Sequence, residues 1–90
     1  MKIWKFFSSW CRPCKALTKA FAEAKIEHQD IDVDKNEELA DKYHVKSVPT
    51  VIVLDNEGEE LGRFVGPRTK EQLLEELKNY EIQSSEKDNL

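Results

Sequence analysis

The spacing of apolar residues changes several times along the chain, and each change predicts a new element. Residues 2–7 are rich in aromatic and β-prone side chains, so they predict a strand. From Cys11 onward the period becomes helical. The apolar positions of this predicted helix fall on one stripe: Leu17, Ala20, Phe21 and Ala24.

The remaining elements follow the same reasoning. Residues 26–33 predict a second strand, and Asn36 is a candidate N-cap for a short helix. The continuous apolar run 51–54 predicts a buried strand, which a turn at 55–58 joins to a returning strand over 59–65. Thr69 and Gln72 have the spacing of a capping box at the start of a last helix.

The predicted order is therefore β-α-β-α-β-β-α. A strand–helix–strand crossover gives parallel pairing, and the final hairpin adds an antiparallel pair. We expect an α/β fold with a four-stranded mixed sheet and three helices packed on both of its faces.

The length of the chain, 90 residues, is that of one small domain. We place this domain at residues 1–82. Residues 83–90 show no apolar periodicity, so they are expected to form a flexible C-terminal tail.

Charge and hydropathy bear on which partners and which cellular location the protein is expected to have. The formal net charge is -4, with 36% of residues charged, which disfavours nucleic acid and anionic membranes as partners. No apolar run approaches the roughly 20 residues of a membrane span, and the lysine-interrupted start is unlike a signal peptide. We therefore expect a cytoplasmic protein, in which structural disulfides are rare.

Cys11 and Cys14 lie where the first strand gives way to the first helix. A C-x-x-C pair at this place in a cytosolic α/β protein indicates redox chemistry. Unpaired N–H groups and the helix dipole stabilise a thiolate at the cap position, so Cys11 is the predicted nucleophile. Cys14, one turn further in and expected to be more buried, is the predicted resolving thiol.

The residues around the pair are expected to tune it. Arg12 and Lys15 add positive charge that favours the thiolate, and Pro13 occupies the first helical turn without losing a hydrogen bond. The disulfide itself would carry the electrons, so no cofactor and no metal are expected. Two alternatives are a pair of core thiols and a zinc site completed by His28 and His44, whose spacing does not fit a zinc finger.

The sequence resembles the thioredoxin family over almost the whole chain to about residue 80. The resemblance is carried by the segment Trp10-Cys11-x-Pro13-Cys14-Lys15 together with three shorter matches in family order. Those matches are Phe6-Phe7, Val48-Pro49-Thr50 and Val65-Gly66. The implied activity is reduction of protein disulfides by dithiol exchange in a thioredoxin-like fold.

The resemblance also implies a substrate groove. Pro49 is expected to be a cis-proline beside the cysteines, with Trp10 as an exposed indole that shapes the docking surface. The implied groove residues on the two sides of the cysteines are Ser47, Val48, Pro49 and Thr50, and then Val65, Gly66 and Pro67.

The chain departs from the family in two respects. It begins directly at the strand that leads to the cysteines, a short core that it shares with glutaredoxins. Moreover, Lys5 stands where thioredoxins usually carry a buried aspartate, and Asp30 stands at the position of its lysine partner. We expect these two to form a partly buried pair beneath Cys14, in which neutral Lys5 accepts the Cys14 proton.

The expected partners are disulfide-containing protein substrates and a source of electrons. That source is either a flavoprotein of the thioredoxin reductase type or glutathione, and the protein itself is expected to be a monomer. Two alternative functions are a glutaredoxin-like electron donor and a thioredoxin-fold binding subunit of a larger complex. Cys11→Ser and Cys14→Ser would abolish catalysis but not a purely structural role.

Overall fold

The computed structural model describes the backbone of residues 1–88 and the side chains of residues 1–80. Its element order confirms the predicted one. The strands are β1 Lys2–Phe7, β2 Gln29–Asp32, β3 Thr50–Leu54 and β4 Glu60–Val65. The helices are α1 Arg12–Ala24, α2 Glu37–Lys42 and α3 Lys70–Asp88.

The four strands form one mixed sheet in the order β2-β1-β3-β4. Strand β1 pairs parallel with β2 and antiparallel with β3, and β3 pairs antiparallel with β4. Because β1 occupies an inner position, the segment that follows it emerges near the middle of the sheet. The two cysteines lie in that segment.

Each face of the sheet has its own hydrophobic core, as alternation along the strands requires. On one face, β1, β3 and β4 pack against α1 and α3, with Phe21 and Leu73 almost fully buried. On the other, Phe6, Ile52 and Leu54 are buried beside Leu39, which belongs to α2. The sheet therefore has helices on both faces, as the sequence predicts.

The helix caps follow the sequence in part. Thr69 and Gln72 form the predicted capping box: the Thr69 N–H donates to Gln72 Oε1 at 3.0 Å, and the Gln72 N–H donates to Thr69 Oγ1 at 3.2 Å. Asn36 occupies the N-cap position of α2, but its side chain donates to the Asp32 carbonyl instead of capping the helix.

The end of the chain bears on the predicted domain limits. The backbone of α3 is helical through Asp88, so residues 83–88 continue the last helix. Residues 89–90, and the side chains after Tyr80, lie outside the described part of the chain. The domain boundary at residue 82 and a flexible tail over 83–90 stay predictions.

Candidate redox site

The site begins at the N-terminus of α1, where Cys11 is the N-cap residue. Its backbone is extended, with φ -90° and ψ 109°, and the N–H of Cys14 donates to Cys11 Sγ at 3.2 Å. Pro13 lies in the first turn of the helix, as predicted. Two cysteines three positions apart thus meet across one helical turn, and they are joined by a disulfide with a Cα–Cα distance of 5.3 Å.

The predicted difference in burial between the two cysteines is absent in this oxidised state. Cys11 is 4% exposed and Cys14 is 3% exposed. Their chemical asymmetry therefore comes from position: Cys11 Sγ receives a backbone N–H at the positive end of the helix dipole. Trp10, immediately before the pair, is 72% exposed and forms a prominent apolar surface.

Two loops from distant parts of the sequence come together around the cis-proline. The Val48–Pro49 peptide bond is cis, as the resemblance implied. The Pro49 carbonyl accepts a hydrogen bond from the Gly66 N–H at 2.9 Å, and Thr50 pairs with Val65 across β3 and β4. The Thr50 hydroxyl donates to the Ser47 carbonyl at 2.7 Å, which holds the turn that leads into β3.

A shallow depression of about 380 Å³ connects Trp10 with the residues before the cis-proline. It is lined by Trp10, Val33, Val45, Lys46, Ser47 and Val48. Sequence reasoning identified Trp10, Ser47 and Val48 but missed Val33, Val45 and Lys46, which follow β2 and α2 without any motif of their own. The depression presents both apolar and polar groups at the surface.

Lys5 is 1% exposed and is held by a network of polar groups. Its ammonium lies 3.0 Å from Asp30 Oδ1 and donates to Thr18 Oγ1 at 2.7 Å, and it also lies 5.5 Å from the centre of the Phe21 ring. The Asp30 side chain is 52% exposed. The expected pair is therefore formed by a buried cation and a half-exposed anion.

His28 extends this network toward the surface, a contact that the sequence reasoning missed. Its Nε2 lies 2.9 Å from Asp30 Oδ1, and its Nδ1 lies 2.9 Å from the Ile26 carbonyl oxygen. Both ring nitrogens of His28 thus face oxygen atoms. The spacing His28-x-Asp30 was the available signal, because alternate residues of an extended segment share a face, and His28 immediately precedes β2.

Arg12, Lys15 and Ser8 lie close to the two cysteines in the chain, and their side chains lack ion-pair or hydrogen-bond partners among the described residues. Arg12 and Lys15 are exposed and form no ion pair with any described residue, so they contribute positive charge near the pair. Ser8 is buried, and its hydroxyl makes no hydrogen bond with a described residue. The carbonyl of Ser8 accepts the Cys11 N–H at 3.3 Å, which places this residue in the turn that presents Cys11.

Comparison with known proteins finds similarity to thioredoxins along most of the chain. The family profile described as Thioredoxin matches residues 2–79. Thioredoxin of Bacillus subtilis is 42% identical over 76 residues, which cover 78% of this chain and 72% of that protein. A prophage-derived thioredoxin-like protein of Bacillus subtilis, YosR, is 34% identical over 80 residues, covering 87% of this chain and 100% of that protein.

A solved structure supports the same assignment. Thioredoxin-2 of a malaria parasite, described as a component of its protein secretion machinery, superposes with a TM-score of 0.78 at 31% identity. The match covers 86% of this chain and 80% of that one. None of the helices in the described residues is long and apolar enough to cross a membrane. The chain belongs to the thioredoxin family and is a protein-disulfide reductase, a thiol–disulfide oxidoreductase with the Cys11–Cys14 pair as its redox centre.

Proposed function

We propose that Cys11 is the attacking sulfur and Cys14 the resolving sulfur of this reductase. The observation that carries the proposal is the hydrogen bond from the Cys14 N–H to Cys11 Sγ at the helix N-terminus. After reduction, the same N–H and the helix dipole stabilise a thiolate on Cys11.

The reaction is a pair of thiol–disulfide exchanges. The Cys11 thiolate attacks one sulfur of the substrate disulfide, which forms a mixed disulfide and releases the first substrate thiolate. The Cys14 thiolate then attacks Cys11 Sγ, releases the second substrate thiolate and closes the Cys11–Cys14 bond. Two electrons pass from the dithiol to the substrate, and the protein ends in the disulfide form described above.

The substrate segment is proposed to dock in an extended conformation across the two loops. In this proposal the Ser47–Thr50 turn forms one wall and Val65–Pro67 the other, and the exposed indole of Trp10 directly precedes Cys11. Backbone pairing gives affinity with little dependence on substrate sequence. This suits a reductase that acts on several proteins.

Lys5 is proposed to receive the proton of Cys14 during the second exchange. Thr18 follows Cys14 by four residues on α1, so the two side chains occupy the same helix face. Because Lys5 Nζ contacts Thr18 Oγ1, the amine lies beneath that face. In this scheme Lys5, an ammonium while it is paired with Asp30, first releases a proton to solvent along the half-exposed Asp30 carboxylate. The neutral amine then takes the thiol proton as Cys14 attacks, and Asp30 stabilises the ammonium that forms again.

The protein is proposed to work as a cytoplasmic monomer. It would receive electrons from a flavoprotein of the thioredoxin reductase type, and the match to thioredoxins favours this source over glutathione. Reduction of the disulfide by each donor, followed by Trp10 fluorescence, distinguishes the two sources. Faster reduction by glutathione would contradict the choice.

A trapping experiment tests the assignment of the two sulfurs. Cys14→Ser incubated with a disulfide-bonded protein such as insulin should accumulate a covalent complex through Cys11, because no second thiol can resolve it. Cys11→Ser should not accumulate this complex, because it lacks the attacking sulfur. Accumulation of the complex in Cys11→Ser, through Cys14, would reverse the assignment.

A second variant tests the role of Lys5. If Lys5→Met leaves the pH profile of turnover unchanged, Lys5 does not take the Cys14 proton.

A further inference from the structure

The loop over Val65–Pro67 has few anchors of its own. Gly66 adopts φ +96°, and Val65 and Pro67 are exposed. Strand β4 ends at Val65, and beyond it the Gly66 N–H donates to the Pro49 carbonyl. Val65 also pairs with Thr50 in the sheet. The side-chain hydrogen bonds that this loop accepts from the described residues come from Arg68.

Arg68 connects the loop to the body of the protein. Its Nη1 donates to the Pro67 carbonyl at 2.9 Å and more weakly to the Val65 carbonyl at 3.3 Å. Its Nε donates to Glu76 of α3 at 3.1 Å, and Nη2 contacts the other carboxylate oxygen at 3.5 Å. The guanidinium carbon also lies 4.5 Å from the centre of the buried Phe64 ring.

We infer that Arg68 is a positioning residue for substrate, because its guanidinium fixes the Val65–Pro67 wall of the groove. This inference rests on the proposed docking of an extended substrate across that wall. A planar guanidinium with five donors can bind two carbonyls and a carboxylate at once while stacking on an aromatic ring, which an ammonium cannot do. Arg68 makes contacts of each of these kinds: it donates to two carbonyls and to a carboxylate, and it lies over the Phe64 ring.

The consequence for turnover follows from the entropy of ordering. A loop held in its docking conformation before substrate arrives does not have to be ordered during binding. Without the Arg68 contacts, that cost falls on association, and KM for a protein substrate rises. The chemistry at Cys11 is unaffected, because Arg68 contacts neither cysteine in the described structure.

The test compares Arg68→Met with Arg63→Met. Methionine keeps an apolar side chain over Phe64 but removes every donor. Arg63 is a matched control: it pairs with Glu60 at 2.7 Å and donates to the Tyr43 carbonyl at 2.8 Å, and its side-chain hydrogen bonds to described residues involve neither groove loop. Each variant is assayed with insulin and with 5,5′-dithiobis(2-nitrobenzoate), a small disulfide that needs no peptide groove.

For Arg68→Met we expect KM for insulin to rise about threefold to tenfold, with kcat and the rate with the small disulfide unchanged. Arg63→Met should leave KM for insulin unchanged. Arg68→Lys, which keeps the charge but not the fork, should raise KM by a smaller factor, and it serves as the comparison if Arg68→Met does not fold. An unchanged KM in both Arg68 variants, an equal rise in Arg63→Met, or an equal slowing with the small disulfide would overturn the inference.

The same experiment separates this inference from the proposed function. If the groove inference fails while Cys14→Ser still traps substrate on Cys11, then only the role of Arg68 is wrong. If Cys14→Ser traps nothing on Cys11, then the proposed function itself is wrong, whatever the KM of the Arg68 variants.

Discussion

Removing Asp30 should destabilise the protein much more than removing its partner, Lys5. Lys5 is almost fully buried, whereas the Asp30 carboxylate is half exposed. In Asp30→Ala the ammonium stays in the interior without its counter-charge. In Lys5→Met an apolar side chain of similar length fills the same space, and the Asp30 carboxylate is hydrated by solvent.

The expected magnitudes follow from this asymmetry. Breaking a buried ion pair by removing one partner costs about 3–5 kcal/mol. Solvent screens the exposed side of this pair, and the Thr18 hydroxyl still accepts from Lys5, so we expect a loss of about 2–3 kcal/mol in Asp30→Ala. Replacement of a buried ion by an apolar residue is often neutral, so Lys5→Met should change stability by less than about 1 kcal/mol.

The assay is urea unfolding of the oxidised protein at pH 7, with the double variant included. Because Lys5→Met removes the charge that Asp30→Ala leaves unpaired, the double variant should be about as stable as Lys5→Met alone. The coupling energy should be about 2 kcal/mol. Gln29→Ala controls for an alanine on the same edge strand. Additive effects, or a loss in Lys5→Met equal to that in Asp30→Ala, would refute the reasoning.

Three further outcomes are expected. Ser8→Ala should raise the free energy of unfolding by about 1 kcal/mol, since it removes a buried hydroxyl that has no partner among the described residues; a loss in urea unfolding would show that the hydroxyl is bonded. The hydrogen bond from Arg63 holds the pKa of Glu60 below its ordinary value. Glu60→Gln should therefore lower the free energy of unfolding above about pH 5, and the loss should disappear as pH falls through the lowered pKa. A difference in stability between the variant and the natural sequence that persists at pH 2 would contradict this. Gly66→Ala places a side chain at φ +96°, so it should lower the free energy of unfolding by about 1–2 kcal/mol and raise KM for insulin. Gly58→Ala, at φ +87° in the β3–β4 turn, should lower stability by a similar amount and leave KM for insulin unchanged.

The sequence by itself determined the features that depend on neighbours along the chain. The order of strands and helices follows from apolar periodicity, and the capping box at Thr69 and Gln72 needs only residues three apart. The redox pair is also determined by residues close together in the chain. A helix turn brings residues three positions apart together, so Cys11 and Cys14 can be recognised wherever a strand gives way to a helix.

Only the tertiary structure decided which distant groups meet at the site. The pairing of Lys5 with Asp30 depends on the parallel register of β1 and β2, and their hypothesised contact came from a family resemblance, not from periodicity. His28 gave no signal beyond its spacing from Asp30. Arg68 was not singled out, because its partners are carbonyl oxygens and a ring that the fold brings together. Local pattern encodes secondary structure, whereas side-chain contacts across elements depend on register and packing, which no short window of sequence contains.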